Sequence, residues 1–248
     1  MTWPQVAWVV IGLAAVLLLA LTWLVRPRRY ELRHSAFAQR LSQSRTATLE
    51  QGRRQEVVLG HALWSRVYPG LGLSALASYA ALLDAETLAD GRQTVSASEG
   101  ILVTFARQII QGRYQAGFSE ELLQDQVQPV VYGPTTFSFN GGLMADLKMQ
   151  DYGTLVILGD FGPEAAISVK NIHDQRGEAF AATGSLTSQA ALFANVDDIL
   201  LGEEAYLAPA LLDPSPQAQA AALTEDLLRV GVILALVIGA ALKAVGVL

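Results

Sequence analysis

The chain has 248 residues, 52% of them hydrophobic and 16% charged, with a net charge of −6 and no cysteine. The lack of cysteine excludes disulfides, thiol nucleophiles and thiolate metal sites. The acidic balance points away from nucleic acid, whose phosphates need clustered Lys and Arg.

Residues 2–25 run for 24 positions without a charge, enough to cross a hydrocarbon core that takes about 20 helical residues. Trp3 and Trp23 stand near the two ends, and Arg26, Arg28, Arg29 and Arg33 follow at once. That is the layout of a transmembrane helix with aromatic anchors and a cytoplasmic flank. The positive charge follows the apolar run rather than preceding it, so a cleaved signal peptide is not expected. Residues 26–66 hold nine Arg and three Glu, a net of +6. The expected protein is therefore a multi-pass protein of the cell membrane, with a cytoplasmic centre and both termini outside. Residues 26–51 have few strand formers and read as a basic stalk helix.

Residues 52–212 then form one domain. Strand-like runs are expected at 56–59, 93–96, 127–132, 154–158, 178–181 and 198–201, with helices at 73–88, 100–111, 141–148, 163–175 and 186–195. Strands alternating with helices indicate βαβ units. Runs without polar alternation, such as Leu155-Val156-Ile157-Leu158, suit strands covered on both faces. The expected fold is a three-layer α/β sandwich with a mainly parallel, Rossmann-like sheet. Residues 67–228 carry 20 acids against 6 bases, so this body should be repelled by anionic lipid.

The prolines of Leu212-Asp213-Pro214-Ser215-Pro216 end the domain, and 213–226 reads as a linker and lead-in helix. Residues 227–248 make a second expected span, with Lys243 near the C-terminus able to snorkel to the headgroups. Gly231, Ala235 and Gly239 recur every four residues, a small-residue face through which two copies would associate.

Open parallel sheets bind ligands at the carboxyl ends of their strands, so the strand-to-helix turns are the candidate sites. Val57-Val58-Leu59-Gly60-His61 echoes Leu155-Val156-Ile157-Leu158-Gly159-Asp160, and a duplication would bring two glycine-ended strands to one crevice. Gly60, His61, Gly159 and Asp160 are therefore candidate ligand-binding residues. Thr183, Gly184 and Ser185 open a turn with hydroxyls and no neighbouring acid, suited to an anion. The alternative there is ordinary capping by Ser185.

Gly70-Leu71-Gly72-Leu73-Ser74-Ala75 matches a dinucleotide fingerprint in form, with Asp90 beyond it. Residues 64–69 separate it from the preceding strand, so glycines at a helix start are the expectation and no cofactor is named. No G-x-S-x-G elbow or phosphate-binding P-loop is present. His34, His61 and His173 are too scattered to hold a metal, and the acidic pairs Asp197-Asp198, Glu203-Glu204 and Glu225-Asp226 read as solvated faces. No catalytic residue and no metal ligand is assigned.

The pieces Gly60-His61-Ala62-Leu63-Trp64-Ser65, Phe161-Gly162-Pro163-Glu164-Ala165, Asn195-Val196-Asp197-Asp198, Gly202-Glu203-Glu204 and Thr224-Glu225-Asp226 resemble a bacterial two-span membrane-protein family known only as a domain of unknown function. That resemblance implies no activity and no catalytic residues. The expected function is a membrane-anchored module that binds a small ligand or a protein partner. The alternative is a membrane-tethered enzyme acting on a nucleotide or phosphorylated metabolite through residues 183–188.

Overall fold

The computed structural model describes residues 36–61, 70–83, 92–115, 128–213, 219–224 and 226–233, with single positions at 12, 16 and 20. The chain divides into two units, His34–Asp213 and Met1–Arg33 with Pro214–Leu248. In the second unit the described residues 219–224 and 226–233 are helical, with Ala220 and Ala222 buried. The expected spans at 2–25 and 227–248 lie outside the described residues, except positions 12, 16, 20 and 227–233. Among the described residues no helix is long and apolar enough to cross a membrane.

In chain order the first unit contains α1 (Ala36–Glu50), β1 (Arg54–Leu59), α2 (Leu71–Leu82), β2 (Gln93–Ala97), α3 (Gly100–Gln115) and α4 (Thr136–Met149). It continues with β3 (Tyr152–Leu158), α5 (Ala165–Asp174), β4 (Glu178–Thr183), α6 (Leu186–Leu192), β5 (Asp198–Leu201) and α7 (Glu204–Leu212). The sheet order is β2-β1-β3-β4-β5, parallel at every pairing. An all-parallel sheet must be covered on both sides, and here each face has its own core. Val57, Leu59, Val156, Leu158 and Phe180 pack with α1, α2, α3 and α7. Val58, Leu155, Ile157, Ala179 and Ala181 pack with α4, α5 and α6.

The chain moves from β1 outward to β2, then returns across to β3 and proceeds through β4 to β5. The direction of winding thus reverses between β1 and β3, which makes the carboxyl ends of those two strands the switch point of the sheet.

Three elements differ from the sequence expectation, each for a local reason, and one register feature adds to them. Residues 36–50 of the expected stalk lie on the sheet. Phe37 and Leu41 join its core, Ser44 and Thr48 bond the Thr154 hydroxyl at 2.9 and 2.7 Å, and Phe37 meets Phe180 edge-on at 5.9 Å. The expected strand at 127–132 is reduced, among its described residues, to one bridge between Val130 and Ser96, because Pro129 has no N–H to donate. Helix α4 starts five residues early because Thr135 and Ser138 form a reciprocal capping box, with serine in the place usually held by Glu or Gln. Finally, the β1–β3 register shifts at Gly153, where a side chain would meet the Thr48 hydroxyl at 2.6 Å. The shift turns Tyr152 to the α4 side, while Thr154 faces α1.

The burial of α1 yields a stability test. Phe37→Ala should cost about 3–5 kcal/mol, as for a core aromatic, in urea unfolding of the full chain; a solvated stalk helix would lose almost nothing.

Candidate functional site

At the switch point the strands end in Gly60-His61 and Gly159-Asp160. The β1–β3 ladder continues as Gly60 N–H donates to the Leu158 carbonyl at 2.7 Å. The two tails then turn towards each other, and His61 and Asp160 pair antiparallel, N–H to carbonyl in both directions at 2.9 and 3.2 Å. Both glycines are needed for this. A Cβ on Gly60 would lie 2.6 Å from the Phe161 ring and 2.8 Å from the Asp160 nitrogen, and Gly159 holds φ +114°, a region that side chains disfavour.

The end of β2 closes one side. Ser98 N–H donates to the Leu59 carbonyl at 2.9 Å, and Glu99 Oε1 lies 3.4 Å from His61 Nδ1. That is within ion-pair reach of a protonated imidazole, and Glu99 lies on the Nδ1 side of the ring. The other ring nitrogen, Nε2, is buried without a hydrogen bond, as are the Ser98 hydroxyl and Glu164 Oε1. Orphaned polar atoms inside a protein cost about 1–3 kcal/mol each, and these three follow β1, β2 and β3 respectively.

The other side is built by the turn into α5. Ser188, fully buried on α6, accepts from Phe161 N–H at 2.8 Å and lies 2.6 Å from its carbonyl and 3.2 Å from Asp160 Oδ1. It therefore holds the Phe161-Gly162-Pro163 turn in place. Glu164 folds back over Gly162 at the start of α5. Around these strand ends stand the His61 imidazole with Glu99 beside it, the Asp160 carboxyl against Ser188, and Glu164 over Gly162. Among the described residues no three acids or histidines are placed to hold a metal ion.

Of the seven candidates read from the sequence, Gly60, His61, Gly159 and Asp160 come together here. Thr183, Gly184 and Ser185 lie at the end of β4, beside α7. Thr183 and Ser185 are buried, the Thr183 hydroxyl accepts the Ser185 N–H at 3.2 Å, and the Thr183 carbonyl accepts from Gly202 and Gln189. The helix that follows has only seven residues. Gly70 takes the left-handed conformation at the start of α2, while Leu71, Gly72 and Ala75 are buried, so that run serves helix packing. His173 bonds Asp197 at 3.0 Å. His34 and Asp90 lie outside the described residues.

Ser98 and Glu99 were not among the candidates from sequence, while Ser188, expected to serve an anion in the 183–188 turn, holds the Phe161 turn instead. A second polar cluster also escaped: Glu56 of β1 is fully buried on the α4 side, with Thr94 and Ser96 of β2, Tyr152 of β3 and Asp146 of α4 around it. Burial pushes its carboxyl up to about 7, against the lowering effect of the Ser96 and Thr94 bonds. Burial and then the neighbouring Glu56 push the Tyr132 and Tyr152 phenols up as well. The signal was an acid in an otherwise apolar strand, Glu56-Val57-Val58-Leu59.

A family model described as Domain of unknown function (DUF6754) matches residues 5–248. No curated protein and no solved structure matches the chain.

The strand crossing is testable by crowding it. Gly60→Ala should destabilise the protein by about 1–3 kcal/mol, the usual cost of overpacking, and speed hydrogen exchange at His61 and Asp160. Gly141→Ala, inside α4 with nothing within 4 Å of the added atom, should be neutral or stabilise by about 0.5–1 kcal/mol.

Proposed function

We propose that this chain, which belongs to the DUF6754 family over residues 5–248, is a membrane-anchored α/β module that binds a small polar ligand at the β1/β3 switch point. The observation that carries the reading is His61 at the end of β1, with Glu99 Oε1 3.4 Å from its Nδ1 and its Nε2 buried without a hydrogen bond. Ligands of doubly wound sheets sit in this position. With Glu99, Asp160 and Glu164 around it, the crevice favours a neutral or cationic ligand rich in hydroxyl or amino groups and repels a phosphate. Binding rather than turnover is the reading because no nucleophile is paired with His61 and no metal-ligating trio accompanies it among the described residues. The tethered-enzyme reading draws less support, since the Thr183 hydroxyl and the 183–185 turn are taken up by the fold's own bonds.

Membrane anchoring rests on the uncharged runs at 2–25 and 230–242. Leu227, Val230, Val232 and Ile233 are exposed apolar residues leading into the second run, which supports an apolar environment beyond them. The arginines at 26–66 place the α/β unit in the cytoplasm on this reading. Gly231 has open space above its Cα, and with Ala235 and Gly239 it would let a second copy approach.

The test is a thermal-shift and calorimetric screen of the detergent-solubilised full chain against sugars, polyols and amines, with phosphorylated counterparts alongside. Unphosphorylated compounds should stabilise it, and His61→Ala should weaken binding at least tenfold, about 1.4 kcal/mol, with the melting temperature of the free protein preserved. Stabilisation by the phosphorylated set alone, or binding indifferent to His61, would remove this reading. Separately, a reporter active only in the cytoplasm should be silent when fused after Leu248; activity there would reverse the orientation.

A further inference from the structure

Glu56 is 0% exposed, and among the described residues no cation accompanies it. Each carboxyl oxygen meets a hydroxyl: Ser96 Oγ lies 2.6 Å from Oε1, and Thr94 Oγ1 makes a short bond with Oε2. From Thr94 the bonds run outward. Its Oγ1 lies 3.2 Å from the Tyr152 phenol, and Tyr152 donates to Asp146 Oδ2 at 2.7 Å. Asp146, on α4, is half-buried and also accepts from Tyr132.

Thr94 Oγ1 also lies 3.2 Å from the Gln55 carbonyl, and a hydroxyl has one proton, so Thr94 can donate to only one of Glu56, Tyr152 and that carbonyl. When Glu56 is the neutral acid, it donates to Thr94, whose own proton is then free for Tyr152 or Gln55, and Tyr152 donates to the Asp146 carboxylate. Every proton then has an acceptor, and the chain points towards the one charge able to reach water. When Glu56 is ionised, Thr94 must turn inward and its proton serves neither Tyr152 nor Gln55. Two carboxylates then share one network without a compensating cation, and the buried one, Glu56, carries the desolvation that disfavours its charge. The titratable groups facing Glu56 are Asp146 from α4, Tyr152 from β3 and Tyr132 from the segment beside β2; none is basic.

Glu56, Thr94, Ser96 and Tyr152 sit in the strand ladder, so Asp146 and Tyr132 are the members of this network carried by elements outside it. Asp146 is carried by α4, which is seated by Phe139, Leu143 and Leu147. Tyr132 follows Val130, whose N–H and carbonyl extend β2 through Val95 and Ala97 at 3.0 and 2.9 Å. We infer that Glu56 is a proton-operated latch: its neutral form holds α4 and the Val130–Tyr132 segment on the sheet, and loss of its proton loosens both. The latch lies apart from the switch-point crevice and does not depend on a ligand there.

The direction of the pH effect follows from linkage. The folded protein keeps the Glu56 proton up to about 7, whereas the unfolded chain releases it near 4.5. The stabilising contribution of that proton is complete below pH 4.5, declines as the pH rises to about 7 and is absent above.

The experiment follows the infrared band of protonated carboxyl groups and the hydrogen exchange of residues 136–149, corrected for intrinsic rates, in the full chain on either side of pH 7. The wild type should lose the band and the α4 protection together as the pH rises. Glu56→Gln should abolish both changes and keep α4 protected throughout. Ser96→Ala removes a bond that favours the ionised form, so the midpoint should move upward; this variant decides the matter if Glu56→Gln does not fold. Asp146→Asn removes the second charge, so the band should still titrate while α4 protection stays constant. A wild type without a titrating carboxyl near neutrality, α4 protection independent of pH, or a Ser96→Ala midpoint that is unchanged or lowered would each overturn the latch.

Discussion

Because β1 and β3 lie side by side in the middle of an all-parallel sheet, both are covered on two faces and neither can place a polar side chain in water. Their pairing, Val57 to Leu59 against Val156 to Leu158, joins two separate cores through one ladder. It also decides what happens at the strands' ends. The tails can turn into the antiparallel His61–Asp160 bridge only because Gly60 and Gly159 have no side chains, and that turn opens the crevice.

The same pairing sets the terms for every polar group trapped in the layers. Thr154, facing α1, is satisfied by two hydroxyls from a helix that would otherwise be an ordinary amphipathic surface. Glu56, facing α4, receives two hydroxyls but no cation, so it retains its proton further up the pH scale. Both are buried polar groups in a low-dielectric layer, where a complete set of partners rigidifies and an incomplete one creates a response. The register shift at Gly153 separates these outcomes, since it sends Tyr152 to the Glu56 side and Thr154 to the α1 side.

The family to which the chain belongs brings no assigned chemistry, so function rests on the crevice residues themselves. They include an imidazole with a carboxyl group beside it and three buried polar atoms without a hydrogen bond, which is the basis of the binding proposal. The acidic character of the body, visible as 20 acids against 6 bases over residues 67–228, reappears at the mouth of this crevice and weighs against an anionic ligand.

The α/β alternation and the position of five strands were legible in the sequence, because uninterrupted apolar runs such as Leu155-Val156-Ile157-Leu158 leave few alternatives to a strand buried on both faces. Glycines after two of those runs also mark Gly60, His61, Gly159 and Asp160 in the sequence. What the sequence did not contain was proximity. Glu99 reaches His61 only because β2 pairs with β1, and Ser188 anchors Phe161 only because α6 folds back beside α5. Glu56 is a latch rather than a surface acid only because α4 covers it, and α1 is a layer rather than a stalk because Phe37 finds Phe180. Local composition determined the elements and the charge they carry; which side chains face one another across β2, β1 and β3 was decided by strand order and register, which arise from packing between segments far apart in the chain.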